Sequence, residues 1–122
     1  MSNTAVSARC FALRFHRYAT EALGSIALAP PGRAPIVQAG ALPGLIHIVA
    51  QSDDSTVLVN TAETIGNLAL ERSCREAILE SGGMQPLVQV CSSMQDNAVL
   101  AAAASALVNL RGADPRTAMR RR

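Results

Sequence analysis

An all-α stack of repeated helices is the architecture the sequence predicts, and three observations carry that expectation. The chain repeats itself at a spacing of 42 residues. Within each copy the apolar residues recur at helical spacing, and the alternation that marks strands never persists. The composition suits close helix packing: 49% of the 122 residues are hydrophobic, only 2% are aromatic, and there is no Trp. The core must therefore come from Ala, Leu, Val and Ile, which argues against a sandwich anchored on large aromatics. The length allows one domain of ordinary size.

The repeat is legible without gaps. Ala19–Leu45 laid over Thr61–Leu87 gives identities at Glu21/Glu63, Gly24/Gly66, Ala27/Ala69, Leu28/Leu70, Arg33/Arg75, Ile36/Ile78, Gly40/Gly82 and Leu45/Leu87. The same shift carries the second copy onto a third, through Asp54/Asp96, Val57/Val99, Leu58/Leu100, Ala62/Ala104, Asn67/Asn109 and Leu68/Leu110. A period in the low forties belongs to helical solenoids or to propeller blades, and the helical pattern within each copy removes the propeller.

The elements follow in order within one copy, residues 33–71. The short apolar patch Pro35–Ile36–Val37 leads to Ala39–Gly40, where Gly40 suits a helix end that needs positive φ. Pro43 then opens a second helix, tolerated there because the first-turn N–H has no intrahelical partner. Leu42, Leu45, Ile46, Ile48 and Val49 form its apolar stripe. Ser52–Asp53–Asp54–Ser55 is a break with side chains that cap the next helix. That long helix runs from about Asp54 to Leu70, with Val57, Thr61, Thr64, Ile65 and Leu68 on one face. The same face is expected at Phe15, Ala19, Ala22, Leu23 and Ile26 upstream, and at Val99, Ala103, Ala106, Leu107 and Leu110 downstream. The alanine run 101–104 favours helix and lets neighbours approach closely.

These residues resemble a known family. Ile36–Val49 with Asn60–Leu70, and Ile78–Val90 with Ala101–Leu110, are similar to armadillo repeats: a short helix, a Gly, a Pro-containing helix, an acidic turn, and a long helix ending in a Gly-Asn-Leu-Ala-Leu type sequence. Of the two prolines typical at the start of the second helix, one copy has the first (Pro43) and the next has the second (Pro86). The resemblance covers nearly the whole chain. It implies a right-handed α–α superhelix with three helices per repeat and the long third helices lining a concave groove. The divisions expected are a partial repeat at 1–32, repeats at 33–74 and 75–114, and the start of another at 115–122. Residues 1–10 fall where a second helix belongs but have no Pro and little apolar pattern. Both ends are therefore expected to be open, with self-association through the uncapped faces.

The resemblance also implies a protein-binding role, with an extended peptide or partner protein held along the groove. Register places Tyr18, Glu21 and Ser25, then Asn60, Glu63 and Asn67, then Ala102, Ser105 and Asn109 on the groove side of the long helices. In peptide-binding members an Asn near the end of this helix clasps the ligand backbone, and Asn67 and Asn109 match it. An amide offers both a donor and an acceptor to a peptide unit. The other reading of the same Asn is structural, a bond to the following loop. Ser25 takes its place in the first copy. The import receptors of the family pair this Asn with a Trp one turn earlier. Here Glu21, Glu63 and Ser105 stand there instead, so a slot for lysine stems is not expected, although the two carboxylates suit a basic ligand.

Nothing in the sequence points to catalysis or to a cofactor. His16 and His47 are isolated and read as surface residues, and no zinc-protease, hydrolase or phosphate-loop motif occurs. Cys10, Cys74 and Cys91 are too widely spaced for a disulfide framework or a zinc site, and Cys74 and Cys91 read as packing residues. Reduced thiols suit the cytoplasm, with the nucleus as the alternative. No stretch is long and apolar enough to span a bilayer. Arg9, Arg14 and Arg17 without an acid would suit a transit peptide, but the same residues fit the repeat. A net charge of +2 is too small to call for nucleic acid, and five of the eleven basic residues (Arg111, Arg116, Arg120, Arg121 and Arg122) lie at the C-terminus. The reading is a non-catalytic interaction module. The alternative is a spacer within a cytoskeletal, ciliary or ubiquitin-ligase-associated armadillo protein.

Overall fold

The computed structural model describes the backbone of residues 2–112 and the side chains of residues 13–112; the expected start of a further repeat at 115–122 lies outside it. Seven helices occupy this stretch: α1 (Ser2–Leu28), α2 (Pro30–Gln38), α3 (Leu42–Gln51), α4 (Ser55–Leu68), α5 (Arg72–Glu80), α6 (Met84–Ser93) and α7 (Asn97–Arg111). No strand occurs among the described residues. The order is one long helix followed by two triads, each short–short–long.

The punctuation is chemical. Asp54 caps α4 by accepting the Val57 N–H at 2.9 Å, and Asp96 caps α7 by accepting the Ala98 N–H at 2.9 Å. Each satisfies a first-turn donor that has no partner inside the helix. Gly40 and Gly82 take φ values of 83° and 76° between the two short helices of each triad, where a side chain would be strained. Pro30 and Pro31 fill the first turn of α2, so that helix begins upstream of the Pro35–Val37 patch.

The first copy departs from the expected break. Where the later copies carry Ser52–Asp53–Asp54–Ser55 and Met94–Gln95–Asp96–Asn97, the first carries Cys10–Phe11–Ala12–Leu13. No residue there can cap a new helix, and no Pro or Gly interrupts the run. Hence α1 continues as one helix of 27 residues instead of dividing into a second and a third.

The long helices α1, α4 and α7 pack side by side, with α4 in the middle, while α3 lies against α4 and α6 against α7. Glycine sets the approach. A Cβ on Gly66 would stand 3.3 Å from the Ala106 Cα, and one on Gly24 would stand 3.1 Å from the Thr64 Oγ1. The expected apolar face is fully buried in the second and third copies at Val57, Ile65, Leu68, Val99, Ala106 and Leu110. Buried Thr61 and Thr64 are satisfied by donating to the Val57 and Asn60 carbonyls, both at 2.7 Å.

The first copy corrects that expectation. Phe15 is 62% exposed and Ile26 51%, Ala22 is exposed, and Ala19 and Leu23 are half-buried. Among the described residues no helix covers the upstream side of α1, so α1 buries Thr20 and Ala27 toward the stack instead.

Two repeated arginines hold the triads to the long helices. Buried Arg33 donates to the carbonyls of Ala27 (2.8 Å) and Leu28 (3.1 Å) at the end of α1, and lies 3.6 Å from Glu71. Arg75 donates to the Ala69 carbonyl after α4 at 3.0 Å. A helix C-terminus carries unpaired carbonyls and a partial negative charge, so a guanidinium suits it.

Candidate groove on the long helices

The inner face of α1, α4 and α7 forms two adjoining hollows of about 180 and 170 Å³. The first lies between α1 and α4, over Thr20, Gly24 and Leu28. The second lies between α4 and α7, over Ala62, Gly66, Ala102 and Ala106. Small residues at the helix contacts leave the depth for both.

Of the nine residues placed on the groove side from the sequence, eight line these hollows. Glu21, Ser25 and Asn60 belong to the first, Ala102, Ser105 and Asn109 to the second, and Glu63 and Asn67 to both. Tyr18 does not line either one; it stands 70% exposed farther toward the start of α1. Sequence reasoning missed Leu28, which contributes to both hollows and is 67% exposed. The identity Leu28/Leu70 was its only signal.

The asparagines divide into two kinds. The Asn109 amide donates to the Gly66 carbonyl at 3.0 Å, and the Asn60 amide donates to the Arg17 carbonyl at 3.3 Å. Both tie one long helix to the one before it. Asn67 is half-buried on α4, shared by both hollows, and among the described residues its amide has no hydrogen-bond partner within the chain. Its donor and acceptor remain for a ligand or for water.

Charge on the groove has one sign. Glu21 and Glu63 line it, and among the described residues no basic side chain does. The nearby Arg17 is engaged elsewhere, donating to both carboxylate oxygens of Asp54 at 2.7 and 3.2 Å. That bidentate bond, with help from the Val57 N–H, holds the Asp54 carboxyl below its ordinary range against the opposing effect of burial. The cap of Asp96 does the same there, chiefly through the Ala98 N–H.

The remaining reactive side chains stand apart. His47 is exposed on α3 and His16 is half-buried on α1. Cys74 is buried in the core, where burial pushes its thiol up, and Cys91 is half-buried against that core. Among the described residues no group of His, Cys, Asp and Glu could hold a metal ion, and no single helix is long and apolar enough to cross a membrane.

Comparison with known proteins places this geometry. The family model described as Armadillo/beta-catenin-like repeat matches residues 29–70 and 72–111, well over half of the chain. The two matches cover α2–α4 and α5–α7, one triad each. No curated protein sequence matches. Among solved structures, the crystal structure of one engineered protein superposes with a TM-score of 0.75 at 26% identity, covering 80% of this chain and 40% of that one. A second engineered protein gives 0.70 at 33% identity, covering 76% and 23%. The chain thus spans less than half the length of either engineered protein.

Proposed function

We propose that this chain, which belongs to the Armadillo/beta-catenin-like repeat family, holds an extended peptide or a partner protein along the inner face of α1, α4 and α7. Repeats of this family generally mediate protein–protein interaction, and the role assigned here is non-catalytic. The observation that carries the groove reading is Asn67: an amide without a hydrogen-bond partner among the described residues, on the central helix, shared by both hollows. A ligand backbone crossing from one hollow to the next would pass it. Glu21 and Glu63 favour a segment with basic side chains, each exposed pair contributing about 0.2–1 kcal/mol.

A second reading is a structural segment of a larger armadillo protein. Asn109 and Asn60 favour it, since both use their amides to join helices.

A peptide selected from a displayed random library against the full chain supplies the probe. Asn67→Ala is expected to weaken its binding roughly three- to tenfold, the loss of one hydrogen bond, with helicity unchanged. Undiminished binding by that variant favours the structural reading.

A further inference from the structure

We infer that Thr64 is a positioning residue of the groove: its side chain spaces α4 from α1 and so keeps the Asn67 amide off the Gly24 carbonyl, open to a ligand backbone. The use of that amide rests on the groove reading, whereas the spacing and the state of the amide are read without a ligand.

The 42-residue shift makes the two crossings of the long helices equivalent. Gly66 on α4 faces Ala106 on α7, and Gly24 on α1 faces Thr64 on α4. At each crossing an asparagine follows three residues later on the same helical face, Asn109 after Ala106 and Asn67 after Thr64. Asn109 donates to the Gly66 carbonyl at 3.0 Å. The equivalent acceptor for Asn67 is the Gly24 carbonyl, and among the described residues Asn67 makes no such bond.

The crossings differ in what lies between the helices. At Gly66 the α7 backbone itself is in contact: an added Cβ would stand 3.3 Å from the Ala106 Cα and 3.7 Å from the Ala106 N. At Gly24 the same Cβ would meet the Thr64 Oγ1 at 3.1 Å, and the nearest backbone atom of α4 is the Asn60 carbonyl oxygen at 3.9 Å. A side chain thus fills, between α1 and α4, the space that backbone fills between α4 and α7.

Thr64 is held in that place. It is fully buried, and its hydroxyl donates to the Asn60 carbonyl at 2.7 Å while standing 3.3 Å from the Thr20 carbonyl on α1. Interiors are close-packed, so two extra heavy atoms at a helix contact set the distance between the helices. With the α4 backbone set back, the short Asn67 side chain stays on the wall shared by both hollows. The residue one turn earlier decides which asparagine joins helices and which faces the groove.

Helix position offers a rival cause. Gly66 lies among the last four residues of α4, whose carbonyls have no intrahelical donor, whereas α1 continues four residues past Gly24 to Leu28. A carbonyl oxygen has a second lone pair, so the Gly24 carbonyl still has room for an amide. The two causes separate on substitution.

NMR of the side-chain amides of Asn67 and Asn109 in the full chain, without ligand, tests the inference. Thr64→Ala is expected to slow exchange of the Asn67 amide protons with water to the rate of Asn109. In that background Asn67→Ala, nearly silent in the parent, should raise the unfolding constant about fivefold. Ala106→Thr should speed exchange at Asn109, and Thr64→Val, which keeps the bulk, should leave Asn67 as in the parent. With the display-selected peptide as probe, Thr64→Ala should weaken binding roughly three- to tenfold, as Asn67→Ala does, while Thr64→Val retains it. An Asn67 amide unchanged in Thr64→Ala would overturn the inference and assign the difference to where the helices end. So would loss of peptide binding in Thr64→Val. A peptide indifferent to Asn67→Ala would remove the groove reading and with it the positioning role, even where the ligand-free spectra bear out the spacing.

Discussion

The side-chain amide of Asn109 reaches back from α7 to the carbonyl of Gly66 on α4, 3.0 Å away. Its counterpart one repeat earlier, Asn67, makes no such bond among the described residues and instead lies against both hollows of the groove. One residue type at one register position thus serves the stack in one copy and faces open space in the other.

That difference predicts unequal stability losses. Asn109→Ala should destabilise the chain by about 1 kcal/mol, the net loss of a partly buried hydrogen bond. Asn67→Ala should stay within about 0.5 kcal/mol of the parent. Urea unfolding followed by circular dichroism reads both, and equal losses would remove the distinction.

The glycines predict opposite signs. Gly66→Leu forces α4 and α7 apart and should destabilise by about 1–3 kcal/mol. Gly44, in the first turn of α3, has open space where a Cβ would go. Gly44→Ala should therefore stabilise by about 0.5–1 kcal/mol. Thermal melting of the two variants checks the contrast.

Arg33 should matter more than Arg75. It is buried and donates to two carbonyls, whereas Arg75 is half-buried with one bond to the Ala69 carbonyl. Arg33→Met leaves two carbonyls of the α1 C-terminus without a charged donor and should cost about 2–3 kcal/mol. Arg75→Met should cost about half that, again by urea unfolding.

Asp54 predicts a pH dependence. Its carboxyl is held down in the folded chain, first by the Arg17 hydrogen bonds. A depressed carboxylate adds stability that is fully present above its unfolded value near about 3.9 and is lost as pH falls through the folded value. The urea midpoint should therefore drop on acidification below about pH 5, and the drop should be shallower in Asp54→Asn. An identical acid slope in the two chains would mean that the Arg17 pair contributes nothing.

Much of this was written in the sequence, and the reasons are local. Asp54 restarts the chain by capping chemistry and Gly40 turns it, so the break between α3 and α4 and the turn before α3 could be read directly, and the 42-residue shift carries the same signals to Asp96 and Gly82. The groove positions followed from helical register, which is why Glu21, Glu63 and Asn67 come together. Two things were not legible. Register says which side of a helix a residue occupies but not whether a neighbour exists there, so Phe15 and Ile26 read as core and stand exposed. Nor does it tell whether an amide finds a carbonyl on the preceding helix, as Asn109 does at Gly66, since that depends on how the two helices are placed and not on register.

The most direct measurement is an NMR titration of the full chain with a peptide selected from a random display library. Binding along the inner wall predicts that the largest shift changes fall on Asn67 and Glu63, with smaller ones at Ser25 and Ser105 on either side. Changes gathered instead on the outer helices α2 and α5, with Asn67 unmoved, would contradict it.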